Sequence, residues 1–176
     1  YAQVPMIQEL LQFYGIPSLS EPGFEADDLL GAISHKFASN DLHCMIVTGD
    51  HDTMQLVTDH ISVLTFVKGV SKTKTYTPEA VKERFDVTPE QMVDYKVLVG
   101  DSSDNIKGFP GIGPKTAASI LGEYGDLDSV LQAAKDGLLP AKWQKRFEGE
   151  DIEGLVSDLR HLVTIRTDIT VPDDMD

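Results

Sequence analysis

Seven carboxylates stand at the boundaries of separate segments in this 176-residue chain. Glu25-Ala26-Asp27-Asp28 opens a helical pattern, Asp50-His51-Asp52 follows an apolar run, and Asp101-Ser102-Ser103-Asp104 follows a second helical pattern. Each cluster alone has a plain structural use. Acids at a helix start favour the macrodipole, Asp50 can cap a short helix after its strand, and Asp101 to Asp104 is ordinary turn chemistry. Together they read differently, because seven carboxylates aimed at one point repel unless cations hold them. A set without clustered Cys or His selects hard ions, Mg²⁺ or Mn²⁺, over zinc. Two such ions about 4 Å apart clamp the attacking and leaving oxygens of a phosphodiester. Positions i and i+2 do not share a helix face, so Glu25 and Asp27 converge only if Glu25 precedes the first turn. His51 reads as a helix-start or surface residue rather than a ligand.

The second constellation is Gly108-Phe109-Pro110-Gly111-Ile112-Gly113-Pro114-Lys115-Thr116-Ala117-Ala118. Pro114 is suited to the first position of a helix. Glycines just before it let a phosphate approach the free N–H groups of the helix start, and Lys115 adds a point charge. A lone G-x-G is weak, since a tight interhelical turn explains it. The longer run between helices is more specific, and it suits a turn that grips a nucleic-acid backbone without reading sequence. Gly108, Gly111, Ile112, Gly113, Lys115 and Thr116 are the candidate DNA-binding residues. A dinucleotide site is excluded on the expectation that no strand precedes the glycines closely.

The elements that must position these groups follow from periodicity and caps. Met6, Ile7, Leu10, Leu11 and Tyr14 recur at helical spacing from Val4 to Tyr14, and Ala26 to Ser39 carries Leu29, Leu30, Ile33 and Phe37 as an expected inward face. His43–Thr48 and Ile61–Phe66 read as strands, with a short helix at 53–57 between them. Lys72–Tyr76 reads as a third, edge-like strand after a Lys68-Gly69 turn. Thr77-Pro78-Glu79 and Thr88-Pro89-Glu90 each open a helix by a Thr cap and an N1 proline, ending at Phe85 and Val99. Beyond Gly100 the pattern is helical at 114–122, 127–135, 140–147 and 151–163. Strands alternating with helices predict an α/β sheet, and we place a subdomain boundary near Gly100: an α/β core over 1–100 and a helical subdomain over 101–176.

Composition narrows the setting. The formal charge is −14, and residues 1–100 and 148–176 each carry −7, whereas residues 101–147 are neutral with six acids and six bases. A strongly acidic surface repels nucleic acid unless metal masks it or the charge is local, so the middle segment is the least hostile to a phosphate backbone. No apolar run approaches a membrane span. Cys44 is the single cysteine, which excludes an intrachain disulfide and fits a reducing cytoplasm. The chain starts at Tyr1 without a methionine and reads as cut from something longer.

Four motifs now stand in order: Phe24-Glu-Ala-Asp-Asp28, Thr48-Gly-Asp-His-Asp52, Val99-Gly-Asp-Ser-Ser-Asp-Asn105 and Gly108 through Ala118. In order and spacing they resemble the 5′-to-3′ exonuclease domain of bacterial DNA polymerase I, with flap endonucleases as wider relatives. Tyr76-Thr-Pro-Glu79 and Ile165-Arg-Thr-Asp168 extend the resemblance over nearly the whole chain. It implies a PIN-like nuclease sheet flanked by helices, followed by a helical subdomain with a helix–three-turn–helix that holds duplex DNA. It implies a two-metal enzyme acting on branched or duplex DNA with a 5′ end or flap, often fused to a polymerase domain. By the resemblance, Glu25 and Asp27 serve one ion, Asp27, Asp50, Asp52 and Asp104 serve the other, and Asp28 and Asp101 act through water or behind the ligands. It further implies a K⁺ ion on carbonyls of the 108–113 turn. Two departures stand out. His51 replaces a common Lys, and the family's first strand, with its metal-binding Asp and the basic arch, has no counterpart before Tyr1.

Two rival readings share these residues. In one, the chain is a non-catalytic fragment that holds duplex DNA but does not cut. In the other, a small metal-dependent ribonuclease domain accounts for the acids but leaves the glycine-rich module unexplained.

Overall fold

The apolar run at the chain's first strand forms β1 (Cys44–Val47), which pairs in parallel with β2 (Ile61–Lys68) from Cys44–Ile61 to Val47–Leu64. β3 (Lys72–Tyr76) returns antiparallel on the other side of β2, giving a sheet of order β1-β2-β3. This is a computed structural model, and it describes residues 2–149 and 151–173. The β1–β2 connection is a 3₁₀ turn over His51–Leu56, capped by Asp50, whose side chain accepts from the Asp52 amide at 2.9 Å. Met54, Leu56 and Val57 plug the core beneath it. A crossover this short must be tight, which is why the predicted helix at 53–57 appears as a 3₁₀ segment.

α1 (Val4–Phe13) and α2 (Ala26–Phe37) precede the sheet. α2 buries Gly31, Ala32 and Ser34, whereas the face expected to point inward, Leu29, Leu30, Ile33 and Phe37, is only half-buried. The reason is steric. Gly31 faces Ile165, Thr167 and Leu56, and a Cβ there would lie 3.0 Å from Ile165 Cγ2. The small residues therefore form the close-packed side. The apolar stripe of α1 buries no residue, and Met6, Ile7, Leu10 and Tyr14 are exposed.

α3 (Pro78–Phe85) starts at Thr77, which caps the Ala80 amide, and ends on a left-handed Asp86. A 3₁₀ turn at Pro89–Gln91 leads into α4 (Met92–Val99). α4 packs against the 51–56 turn and also against α5 (Pro114–Tyr124) and α8 (Ile152–Val163), so it is shared between both halves. Its Val97 and Leu98 are fully buried, each contributing about 1.5–3 kcal/mol by area removed from water. α6 (Leu127–Lys135) and α7 (Ala141–Gln144) complete the helical part. α7 is shorter than the predicted 140–147 helix, because Arg146 and Phe147 bond back by only three residues, to Trp143 and Gln144. One apolar cluster runs from Ile46 and Val63 through Met92 and Leu98 to Ile120, Leu127 and Trp143.

The stretch after Gly100 is not wholly helical. Gly100–Asp101 (β4) pairs antiparallel with Ile106–Lys107 (β5). Gly100 has φ +79, and a Cβ on either Gly100 or Gly108 would collide with the other's backbone. The two glycines thus bring the strand ends together, and Phe109 N bonds Leu98 O at 2.9 Å. A strand therefore does precede the glycine run. It is two residues long and lies outside the parallel pair, so no βαβ dinucleotide unit forms.

Two polar contacts tie the parts together. Asp94, 8% exposed, accepts from Leu127 N at 2.8 Å and from Arg160 Nε and Nη2 at 3.0 and 2.9 Å, joining α4, α6 and α8. Gln55 bonds both Val163 O and Ile165 N at 2.9 Å, which seats the final segment on the 51–56 turn. No described helix is long and apolar enough to cross a membrane.

Candidate metal centre and nucleic-acid interface

Parallel pairing of β1 and β2 places both strand ends on one edge, and Asp50 and Asp52 issue from it. α4 ends nearby, and the β4–β5 turn folds Asp101 and Asp104 back toward the same edge. Asp52, Asp101 and Asp104 each offer an oxygen within 4.8 Å of the others, the one such set of three among the described residues.

A lysine that sequence reasoning did not single out sits in this set. Lys96 Nζ bonds Asp52 Oδ1 and lies 2.6 Å from Asp101 Oδ2, with side-chain exposures of only 11–19% across the three residues. Burial pushes the Asp52 carboxyl above its ordinary value, contact with Lys96 pulls it down, and the charges of Asp50 and Asp101 add to the rise. Burial alone would lower the Lys96 ammonium, but its bonds to Asp101 and Asp52 outweigh that and raise it. Asp101 is held well below the usual carboxylate range by Lys96 first and then by Ser103, whose amide donates at 2.8 Å. The signal for Lys96 was available: it is the one cation inside an apolar helix that ends two residues before Asp101.

The remaining candidates lie outside the three-acid set. Asp50 is the cap of the 51–56 turn. Glu25 is exposed at the start of α2, and Asp27 accepts from the Asp28 amide at 2.9 Å. Asp28 accepts from Glu25 N at 3.1 Å and from Arg166 N at 2.8 Å, so it links the α2 start to the 165–168 segment. His51 is exposed, with its ring 6.2 Å from Tyr76 and 6.0 Å from Phe85. The donor set fits a hard divalent ion. Asp52, Asp101 and Asp104 supply only carboxylate oxygens at ligand-sharing distance, and the structure already stations an ammonium there to balance them.

The glycine-rich turn divides into anchors and an open end. Phe109 and Ile112 are buried core residues, so the Ile112 side chain faces the protein. Gly108 is packed against Gly100. Gly111 has φ +73 and makes room for Arg146, which donates from Nη1 to Pro110 O at 3.0 Å. Gly113 caps α5 and has nothing near its missing side chain. Lys115 and Thr116 follow, their N–H groups among those a helix start leaves unbonded. Beside them a groove of about 340 Å³ is lined by Lys115, Thr116, Ser119, Lys142, Trp143 and Arg146. Lys142 and Arg146 escaped the sequence reading, although their i, i+4 spacing in Ala141-Lys-Trp-Gln-Lys-Arg146 marks one cationic face.

An α/β sheet with carboxylates at its strand ends is joined to a helical part with a glycine-rich turn before a helix. Family comparison agrees over the whole length. Residues 1–86 match the 5′-3′ exonuclease N-terminal resolvase-like domain and residues 87–176 the 5′-3′ exonuclease C-terminal SAM fold. The chain belongs to the 5′-3′ exonuclease family. It is 38% identical over 169 residues to DNA polymerase I of Bacillus caldotenax, covering 96% of this chain and 19% of that protein. It is 46% identical over 129 residues to DNA polymerase I of Mycobacterium bovis, covering 73% and 14%. The chain thus spans a fifth or less of those relatives. Among solved structures, T5 5′-exonuclease with bound zinc superposes at TM-score 0.69 and 28% identity, covering 88% of this chain and 55% of that one. A T5 flap endonuclease complex with DNA and metal ions superposes at 0.72 and 27%, covering 91% and 56%. The catalytic core of Rad2 shares the fold at TM-score 0.58 and 21% identity.

Proposed function

We propose that this chain forms part of a magnesium- or manganese-dependent 5′ nuclease that hydrolyses phosphodiesters at 5′ flaps or 5′ ends of DNA. The observation that carries the reading is the meeting of Asp52, Asp101 and Asp104 at one sheet edge. These three would hold one divalent ion with Asp50 close to Asp52, and Glu25 and Asp27 would serve another. Such ions supply an activated water and neutralise charge on the phosphate. The chain's own residues do the rest. Lys96 balances Asp52 and Asp101. The α5 start grips the duplex through the Lys115 and Thr116 amides, with Lys115, Lys142 and Arg146 as cations. A K⁺ on carbonyls of the 108–113 turn belongs to the same reading, as do a fused polymerase segment and a cytoplasmic setting.

A second reading, a fragment that holds duplex DNA without cutting it, is favoured by one feature: Glu25 and Asp27 stand apart from the three-acid set. Flap cleavage in Mg²⁺ by the chain and by Asp52→Asn separates the two. Cleavage that vanishes in Asp52→Asn supports the nuclease. Tight salt-sensitive duplex binding in Ca²⁺ with no cleavage supports the holding fragment, and absence of both overturns the reading.

A further inference from the structure

The β2–β3 hairpin overhangs the edge that carries the acids. β1 makes its last pair at Val47–Leu64, and Thr48 N then bonds Leu64 O at 3.1 Å before the chain turns off to Asp50. β2 runs on to Lys68, roughly 13 Å farther at the usual strand rise. Between Asp59 and Glu79 the chain contains no acidic residue and three lysines, 68, 72 and 74, within a protein of net charge −14. Side chains two apart share a strand face, so Lys72, Lys74 and Tyr76 line one face of β3. An unbroken ladder would set Val67 opposite Lys72. The register instead shifts between Phe66 and Lys68, and Lys68 pairs with Lys72. The bulge therefore adds a third lysine to that face. The same face leads back to the acids: Lys74 Nζ lies 4.9 Å from the Tyr76 ring, and Tyr76 stands against His51, between Asp50 and Asp52. None of the three lysines makes an ion pair among the described residues, whereas Lys96, Lys36 and Lys135 do.

We infer that the Lys68, Lys72 and Lys74 face of this hairpin is a second DNA contact, one that takes the backbone of the single-stranded arm as it leaves the carboxylate edge. The inference rests on the nuclease reading above and adds a surface distinct from the α5 grip. The hairpin supplies cations just outside His51. A flexible single strand can follow a narrow ribbon, and its phosphates match a row of lysines.

The test compares a 5′-flapped duplex with a flapless nicked duplex, both in Ca²⁺. The parent is set beside Lys68→Gln/Lys72→Gln/Lys74→Gln, Lys72→Glu and Lys115→Ala, with circular dichroism and melting to check folding. The triple variant is expected to bind flapped DNA roughly tenfold more weakly at moderate salt, with a log-affinity against log-salt slope shallower by about two. It should hold the nicked duplex nearly as the parent does. Lys72→Glu, a single exposed change, should weaken the flapped DNA in the same selective way and decides the matter if the triple variant melts early. Parent-like binding by both hairpin variants, while Lys115→Ala weakens both DNAs, overturns the inference and leaves the nuclease reading standing; the lysines then only guard an edge strand. Equal losses on the two DNAs also overturn the assignment to the single strand. A parent that binds neither DNA takes down both.

Discussion

Lys96 Nζ lies 2.6 Å from Asp101 Oδ2 and bonds Asp52 as well, so one ammonium spans two of the three acids gathered at the sheet edge. Without it, two mostly buried carboxylates would face each other and Asp104. The lysine and a divalent ion would answer the same electrostatic need, and this coupling makes the candidate metal centre measurable without any assay of cleavage.

Lys96→Met should destabilise the metal-free protein by about 2–4 kcal/mol, because it strands Asp52 and Asp101 without a counter-charge. Saturating Mg²⁺ should recover much of that loss. The rise in melting temperature on adding Mg²⁺ is therefore expected to be larger in Lys96→Met than in the parent. Equal rises would show that the ion does not sit against these carboxylates.

Asp104 offers the complementary case. It is exposed and joins the other two acids only at the candidate ion position. Asp104→Asn should leave metal-free stability within roughly 0.5 kcal/mol while cutting the Mn²⁺-induced stabilisation. That stabilisation in the parent should approach about 2.7 kcal/mol at a hundredfold excess over Kd. An unaltered Mn²⁺ response would remove Asp104 from the ligand set.

The contrast between Asp104 and Lys96 also marks what the sequence could reveal. Acid clusters at element ends are visible because their spacing is local, and Thr77-Pro78 and Thr88-Pro89 announce helix starts by local cap chemistry. Lys96 reaches Asp52 across 44 positions, a distance that only the packing of α4 on the 51–56 turn closes. The helical spacing of α1 is legible although its apolar stripe is exposed, since periodicity reports an amphipathic helix without naming what covers it. β4 and β5 are too short to carry an alternating pattern and exist because two glycines permit backbone contact.

Asp94 should matter for the fold and not for the metal. Its carboxylate answers Arg160 and the Leu127 amide at the same time. Asp94→Ala leaves the Leu127 amide unpaired near the core and the Arg160 guanidinium with Asp128 as its one remaining carboxylate, at a cost of about 3 kcal/mol. Urea unfolding should show that loss, with the Mg²⁺-induced shift unchanged. A reduced Mg²⁺ response would mean that α4 transmits strain to Lys96, two residues along the same helix.

The glycines of the 108–113 turn separate folding from binding. At Gly108 a new Cβ would strike the backbone of Val99 and Gly100, so Gly108→Ala should cost at least about 3 kcal/mol and break the β4–β5 ladder. Gly113 has an ordinary extended φ of −96 and open space where a Cβ would stand. Gly113→Val should therefore fold with stability within roughly 1 kcal/mol of the parent. Its side chain would nonetheless stand before the amides of Lys115 and Thr116, where a phosphate must come close. Duplex affinity should then fall about tenfold or more, as for the loss of one charge-assisted backbone contact. Full duplex affinity in a well-folded Gly113→Val protein would reduce the turn to a helix connector and move the duplex grip to Lys142 and Arg146.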